Sequence, residues 1–330
     1  MHEISWGFLI VLYLFLAGVS AGAFATSATI FLTQGERHRG TALWGALLAP
    51  FPAAIGTGLL VLDLGRPLAF YWLFTTLRLT SPMSFGVWFL SAFLLLSVIY
   101  FFLWLPQNWR AAVASFLPRA WRAGAAADDG GLRHTRRILA GVGLPFALGV
   151  AIYTAILLGA STRPLWGSPL MPFLFLFSAL STGLAAVMVS LLLARLVSAR
   201  FAGRSAAHDP EMRLLLVSDL VLLGVELSTL LLMILYSRIG TLASRQAWDV
   251  MLSGDYVWVF WLGPVLTGIL APIALEVMEL RHSSRGANSI VAKPAGPVLG
   301  LLTGTLVLMG GFLLRYVIVY AGQVYTWAAH

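Results

Sequence analysis

The sequence contains no cysteine and carries little charge. None of its 330 residues is Cys and 10% are Asp, Glu, Lys or Arg, whereas soluble proteins have about 25% charged residues. The missing thiols exclude a disulfide, a cysteine-ligated iron–sulfur cluster or a thiolate zinc site built from this chain alone. With 59% hydrophobic residues, the chain has too few charges to cover the surface of a soluble globule.

Two further absences narrow the chemistry. All six His residues fall in predicted loops or at the termini, whereas a membrane cytochrome b needs axial His inside its spans, so we expect no haem. No Lys lies in an apolar run and no phosphate-binding Gly-Lys-Ser/Thr loop occurs, which excludes a retinal Schiff base and an ATPase of that type. The sequence therefore predicts no metal site.

Long apolar runs recur along the whole chain and predict an all-α polytopic membrane protein. Each run is long enough to cross a hydrocarbon core of about 30 Å at about 1.5 Å per residue. We expect one integral membrane domain over residues 1–330, with spans at about 5–33, 41–62, 83–105, 138–160, 170–194, 213–236, 256–279 and 297–321.

The basic residues predict the orientation, because an even number of spans puts both termini on one side. Five basic residues fall in loops on the side of the termini: Arg66, Arg78, Arg163, Arg238 and Arg245. Fifteen fall on the other side: Arg37, Arg39, Arg110, Arg119, Arg122, Arg133, Arg136, Arg137, Arg195, Arg200, Arg204, Arg213, Arg281, Arg285 and Lys293. The positive-inside rule then places the termini outside a bacterial or archaeal inner membrane, on the periplasmic side. The net charge of +8 reflects this topology and not nucleic-acid binding.

The longest predicted cytoplasmic loop, residues 106–137, interleaves aromatic residues with Arg. Trp109, Phe116 and Trp121 are typical of an amphipathic segment lying on anionic lipid. A plain solvated connector is the alternative.

Acidic residues mark two places of interest. Asp63 ends the second span, where it is either a helix-end carboxylate paired with Arg66 or a proton acceptor at the mouth of a ligand pocket. Glu226 lies mid-span with Asp219 seven residues earlier on the same helix face, which favours a proton path. The alternative is that Glu226 forms an ion pair with Arg315 of the last span.

Four more polar residues have two interpretations each. Arg315 could be an anchor whose side chain snorkels outward, and Tyr153 could be packing or a hydrogen-bond donor. Glu276 and Glu279 end the seventh span at the inner face. We expect them to be a solvated helix end, with proton uptake as the alternative.

Several segments together resemble the polysulfide reductase membrane subunit family, the NrfD/PsrC-like quinol-interacting subunits. The order and spacing of these segments across the eight spans carry the resemblance, which covers essentially the whole chain. They are residues 13–18 and 21–23, Asp63-Leu64-Gly65-Arg66-Pro67, residues 81–86, Tyr153-Thr154-Ala155, Arg163-Pro164-Leu165-Trp166, and Arg315 ahead of Gly322-Gln323.

The resemblance implies two four-helix bundles and a menaquinone or ubiquinone site near the outer face. It also implies a partner resembling a ferredoxin with four iron–sulfur clusters, and a catalytic subunit that is often a molybdopterin enzyme of anaerobic respiration. By motif, Asp63 and Tyr153 take the acidic and tyrosine positions of the quinone site. Quinone-binding positions also fall on Tyr13, Arg66, Arg163 and Arg315.

The residues and the resemblance agree on a chemical hypothesis. Quinol oxidation releases two protons with its electrons, so the site needs a base and a hydrogen-bond donor to the ring oxygens. We expect Asp63 to accept a proton and Tyr153 to donate that hydrogen bond, in either direction of electron flow. The alternatives are a proton-translocating subunit using Asp219 and Glu226, a transporter or proton channel, and a passive anchor.

Overall fold

A computed structural model describes residues 6–63, 71, 82–115, 129–161, 163–197, 210–286 and 297–324. These residues form helices and contain no β-strand. The first half has α1 (Phe8–Gln34), a 3₁₀ turn (Gly35–His38), α2 (Arg39–Leu48), α3 (Pro50–Asp63), α4 (Pro82–Trp104), α5 (Gln107–Ala114) and α6 (Asp129–Gly159). The second half has α7 (Met171–Val197), α8 (Pro210–Ile239), α9 (Leu242–Leu252), α10 (Val257–Phe260), a π-helix (Trp261–Leu270), α11 (Ala271–Gly286) and α12 (Pro297–Val324).

Seven helical segments of the described residues are long and apolar enough to cross a membrane. The first, Phe8–Asp63, has 56 residues, which is about twice the length that a single crossing needs. It turns back at Gly35, whose φ of 59° is open to glycine. If this hairpin is counted as two crossings, the number of spans is the eight predicted from hydropathy. The chain is therefore a multi-pass membrane protein.

Hydrogen bonds between its two arms show that the hairpin is antiparallel. Ser27 Oγ donates a hydrogen bond to Ala42 O at 2.6 Å, and Ser20 Oγ donates one to Ala49 O. Further along, Gly56 lies against Tyr13. As the residue numbers rise along α2 and α3, those of their partners on α1 therefore fall.

Most predicted spans match helices within a few residues, with one clear difference before the fourth span. The helix α6 begins at Asp129, inside the segment predicted as a loop over 106–137. The short helix α5 also lies in that segment, and Trp109 on it is 63% exposed. Phe116 and Trp121 lie outside the described residues, so a role of this segment at the lipid surface stays a prediction.

The helices pack in two groups that share one core. In the first group α1 packs against α2, α3 and α6, and α4 packs against α6; in the second, α7 packs against α8 and α12, and the π-helix packs against α12. The groups meet where α1 lies along α7, and there Gly22 and Gly183 bring the two backbones together. This packing is compatible with the expected two four-helix bundles.

The seventh span is irregular. Its middle is the π-helix, which contains Pro264; proline lacks the N–H that a regular helix uses there. A Cβ on Gly310 of α12 would lie 1.9 Å from Gly268 Cα, so these two backbones touch. The π-helix and the glycine pair therefore let the seventh and eighth spans approach closely.

The start of α1 and the end of α12 meet at one face, which we name the terminal face. Trp6 N donates to Gln323 Oε1 at 2.9 Å, and Gln323 Nε2 donates to Trp6 O at 3.1 Å. The bonds join the start of α1 to the end of α12. The terminal face is the one predicted to be periplasmic; we name the other the opposite face.

Candidate functional site

Tyr153 lies in the half of α6 nearer the terminal face, pressed against α4. Its side chain is buried, and a Cβ at Gly86 of α4 would lie only 1.9 Å from its hydroxyl oxygen. Any other residue at Gly86 would displace the phenol ring. The Ser-Pro-Met-Ser-Phe-Gly segment thus contributes the glycine that accommodates Tyr153.

Tyr13 of α1 is fully buried in the same helix group as Tyr153. Its aromatic carbon Cδ2 would be 3.5 Å from a Cβ on Gly56 of α3, and Tyr153 is its electrostatic neighbour. The Tyr13 hydroxyl has no hydrogen-bond partner among the described residues. Since buried hydroxyls are nearly always paired, this donor suits a carbonyl or hydroxyl oxygen of a ligand. The structure thus brings together two of the predicted site residues.

Asp63 is not in direct contact with the tyrosine pair. It is the exposed last residue of α3, about 10 Å along the helix from Gly56. Arg66 lies outside the described residues, so the proposed pairing of Asp63 with Arg66 stays a prediction. Asp63 stands between the buried tyrosines and the terminal face.

Arg163 fastens the loop between α6 and α7 to the last helix. Its Nη1 donates to Gln323 O at 2.7 Å, and its guanidinium lies 5.7 Å from the centre of the Trp166 ring. Partial burial lowers the pKa of Arg163 from its usual value. It lines an open pocket of 370 Å³ with Tyr236 and Thr241, in the second group of helices. Arg163 therefore does not join the tyrosine pair.

Arg315 is buried in the core, and the snorkelling interpretation is wrong. It is 1% exposed; its Nε donates to Leu14 O at 3.2 Å and its Nη1 to Gly311 O at 2.7 Å. Gly18 provides the space for the guanidinium group, since a Cβ at Gly18 would lie 2.6 Å from Arg315 Nη2. Because Leu14 directly follows Tyr13, the guanidinium links the second group of helices to the tyrosine pair.

Glu226 is connected to Arg315 through a hydroxyl group. Arg315 Nη1 donates to Ser178 Oγ at 3.2 Å, and the Ser178 hydroxyl lies next to the Glu226 carboxyl group, where both line one cavity. No direct ion pair between Glu226 and Arg315 occurs in this described part of the chain. The ion-pair alternative is therefore replaced by a relay of three groups.

Asp219 lies nearer the opposite face, next to Glu276, which was expected to lie at a solvated helix end. Ser181 Oγ donates to Asp219 Oδ1 at 2.9 Å, and the Asp219 carboxyl contacts that of Glu276. Glu276 is 0% exposed and Glu279 is 3% exposed. The expectation of a solvated helix end is thus wrong, because both side chains pack inside the helix group.

A sequence signal could have found these two acids. Ile269, Pro272, Glu276 and Glu279 are all buried and follow the spacing of three and four residues that marks one helix face. Extending the apolar stripe from Ile269 would have placed both acids inside. Among the described residues, no three His, Asp or Glu side chains converge to hold a metal ion.

Relatives of the protein extend along nearly its whole length. A polysulfide reductase chain of Wolinella succinogenes is 29% identical over 329 residues, covering 98% of this chain and 96% of the relative. Protein NrfD of Escherichia coli is 27% identical with the same two coverages. A selenate reductase subunit of Mesobacillus selenatarsenatis is 28% identical over 356 residues, covering 97% of this chain and 74% of the relative.

The family model described as polysulphide reductase, NrfD, matches residues 1–326. That range includes every helix of the structure and every site residue discussed above. The resemblance inferred from the segments is confirmed, and the chain belongs to the polysulphide reductase NrfD family.

Proposed function

We propose that this protein is the membrane subunit of a reductase complex and exchanges electrons between the quinone pool and a partner iron–sulfur subunit. The observation that carries the proposal is the unpaired, buried Tyr13 hydroxyl near the terminal face, in the same helix group as Tyr153. Two phenols at this depth suit a ligand that is apolar in its body and carries ring oxygens.

The chemistry follows from what quinol oxidation requires. Two electrons and two protons leave the quinol, and its ring oxygens need hydrogen-bond donors to hold them. Tyr153 and Tyr13 supply hydroxyl groups, and exposed Asp63 accepts a proton and passes it to water at the terminal face. The same groups serve quinone reduction with the proton transfers reversed.

The electrons must continue into another subunit. The protein has no Cys with which to ligate a cluster, so a ferredoxin-like partner with four clusters is the electron carrier that we propose. The relatives named as parts of polysulfide and selenate reductases support a complex with a catalytic subunit, for which we propose a molybdopterin enzyme. Menaquinone or ubiquinone is the substrate exchanged with the lipid phase.

The location follows from the loop charges. We place the protein in a bacterial or archaeal inner membrane, with the terminal face periplasmic, because fifteen of the loop cations are predicted on the opposite side. The partner subunits then dock at the periplasmic face.

A second function, proton translocation, is favoured by one specific observation. All four buried acidic side chains among the described residues lie on α8 and α11, away from the tyrosine pair. Acids within spans usually serve ion or proton movement.

The electron-transfer proposal is tested with Asp63→Asn in the assembled complex, measuring quinol oxidation. We expect a fall of about 10²-fold or more in the rate, as for loss of a general base. Asp249→Asn is the matched control, since Asp249 is a half-buried acid of the terminal face that pairs with Arg238 at 2.9 Å. Unchanged quinol oxidation in Asp63→Asn would remove Asp63 from the site.

A further inference from the structure

We propose that Glu279, Glu276, Asp219 and Glu226 form a proton path from the opposite face to Arg315, with Asp219 and Glu276 sharing one proton. The path rests on the proposed function in one respect, namely that quinone chemistry drives proton movement along it. Its residues lie on α8 and α11 and are separate from the tyrosine pair.

The entrance to the path is on α11. Glu279 and Glu276 are one turn apart and point into the helix group, where Glu279 Oε2 and both Glu276 carboxyl oxygens have no hydrogen-bond donor among the described residues. Arg281, two residues after Glu279, is exposed. The acids therefore lead inward from a basic, solvated end of the helix.

The Asp219–Glu276 contact requires a proton. Two carboxyl groups that touch in a core cannot both be ionised, because like charges at this distance repel strongly in a low-dielectric medium. No Arg, Lys or His forms an ion pair with either acid in the described ranges. Asp219 Oδ2 has no other partner there, so a single shared proton is the group that satisfies both carboxyls.

Hydroxyl groups of α7 continue the path. Ser181 donates to Asp219 Oδ1 at 2.9 Å, and Ser178, one turn away, contacts Glu226. Glu226, Ser178 and Thr182 line an internal cavity of about 10 Å³, roughly the space that one water occupies. The rise of about 10 Å from Asp219 to Glu226 is thus lined by groups that can pass a proton.

The path ends at Arg315, which faces both functional parts of the molecule. One side of its guanidinium donates to Ser178 Oγ, and Nε donates to Leu14 O. Tyr13 precedes Leu14 in the chain. A change of charge near Tyr13 during quinone chemistry therefore alters the electrostatic environment of Glu226 through the Arg315 side chain and the Ser178 hydroxyl group.

Each step balances as a simple transfer. An O–H bond breaks on the donor carboxyl and forms on the next acceptor. The proton shared by Asp219 and Glu276 passes to Glu226 and is replaced from Glu279 and the opposite face. Glu226 then releases its proton through the cavity that it lines with Ser178 and Thr182 toward the terminal face. No oxidant is needed along the path. Arg315 stays protonated and stabilises the carboxylate form of Glu226.

A purely structural role does not account for these acids. A buried, unpaired charged carboxyl group in a span costs at least about 2.5 kcal/mol of free energy. Among the described residues, no cation forms an ion pair with Glu276. Acids that serve packing alone are replaced by apolar residues without loss of stability. The four carboxyls instead extend from the opposite face to the middle of the membrane.

The experiment uses the assembled complex in sealed vesicles, with quinol as donor and the complex's electron acceptor. It measures protons moved per electron and, with an uncoupler present, the electron-transfer rate. Glu276→Gln and Asp219→Asn keep the shape of the side chains. Ser228→Ala is the matched control, because Ser228 lies on α8 two residues from Glu226 but is exposed to lipid.

We expect both acid variants to lose more than half of the protons moved per electron, with uncoupled electron transfer within about twofold of wild type, and Ser228→Ala to change neither. An unchanged ratio in the acid variants, or a wild-type complex that moves no protons across the membrane, would overturn the path. So would an equal loss of uncoupled electron transfer. Failure of the quinone proposal is distinguishable, since it is read from quinol oxidation in Asp63→Asn, whereas the shared proton is also read from a spectrum that needs no quinone chemistry.

A second measurement does not depend on activity. The wild-type protein should show an infrared carboxyl band of a protonated, buried acid that shifts slowly in heavy water and is absent from Glu276→Gln. Absence of that band from the wild-type protein would also overturn the shared proton.

Discussion

Arg315 is the residue on which most of the buried polar contacts converge. It donates hydrogen bonds to Leu14 O, Ser178 Oγ and Gly311 O, and its charge lies 5.6 Å from the centre of the Phe175 ring. Removing one partner of a buried charged set typically costs about 3–5 kcal/mol. The residue therefore contributes to stability as well as to communication between the two helix groups.

Arg315→Met should lower the free energy of unfolding of the detergent-solubilised protein by about 3–5 kcal/mol, because Leu14 O, Ser178 Oγ and Gly311 O lose their donor. Thermal unfolding measures the change. Arg238→Met is the control: its ion pair with Asp249 is 48% and 43% exposed, and an exposed pair contributes less than about 1 kcal/mol. Equal destabilisation in the two variants would show that Arg315 is not the centre of a buried network.

Gly86 determines the position of Tyr153. A Cβ there would lie 1.7 Å from Tyr153 Cζ, so Gly86→Ala has to move the ring. A displacement of this size costs up to about 10²-fold in rate when the ring positions a substrate.

We expect Gly86→Ala to reduce the rate of quinol oxidation by at least about tenfold, equivalent to about 1.4 kcal/mol, while the complex still assembles. Steady-state kinetics with a soluble quinol analogue measure this. The control is Gly58→Ala, where a Cβ meets nothing within 4 Å. Full activity in Gly86→Ala would mean that the placement of the Tyr153 ring does not matter.

At the scale of residues, the sequence identified polar residues within the spans but did not predict which of them contact each other. The motif around Tyr153 and the mid-span position of Glu226 pointed to side chains that are buried in the structure. The contact of Asp219 with Glu276 needs the relative rotation of α8 and α11, which hydropathy does not encode. Arg315 was left between two interpretations because its distance from the membrane surface suited snorkelling as well as burial.

At the scale of elements, small residues decide how closely helices approach. Gly18 and Gly22 are one turn apart on α1 and face Ala179 and Gly183 of α7; a Cβ on Gly183 would lie 2.2 Å from Gly22 C. Small residues four apart are the usual means of close helix contact in membranes. The two helix groups are therefore held together along this seam.

Gly183→Val should separate α1 from α7 and sharply lower the yield of folded protein, since overpacking alone costs about 1–3 kcal/mol and here the clash is with backbone. Size-exclusion chromatography and thermal unfolding report the result. Gly224→Val is the control, because a Cβ on that glycine of α8 meets nothing within 4 Å. If both variants fold equally well, the seam does not hold the groups together.

Elements were predictable where long apolar runs set their length. The spans around α4 and α7 were located within a few residues. The π-helix Trp261–Leu270 was not, because a single proline in an apolar run predicts a bend without fixing its hydrogen-bond pattern. The α1 hairpin was predicted from Gly35 onward by the polar turn between two apolar runs.

At the scale of the whole molecule, the distribution of charge and the meeting of both termini define two unlike faces. The terminal face lies near Tyr13, Tyr153 and Asp63, whereas the acids Glu276 and Glu279 lie toward the opposite face. If quinone chemistry occurs at one face and proton uptake at the other, the reaction separates charge across the membrane.

The orientation can be tested directly because the protein has no Cys. A membrane-impermeant maleimide should label Ser253→Cys in intact cells with a permeable outer membrane, since Ser253 is exposed at the terminal face. Asn108→Cys, exposed on α5 at the opposite face, should be labelled only after the inner membrane is opened. The reverse pattern would contradict the periplasmic placement of the termini.

The most direct test of the quinone site is the rate of quinol oxidation by the assembled complex carrying Tyr153→Phe. Tyr100→Phe is the matched control, since Tyr100 is a buried tyrosine of the same helix group whose hydroxyl contacts Ser27 at 3.2 Å, toward the opposite face. We predict that Tyr153→Phe lowers kcat/KM by at least about tenfold and that Tyr100→Phe leaves it within about twofold. Equal rates in wild type and Tyr153→Phe would contradict the account.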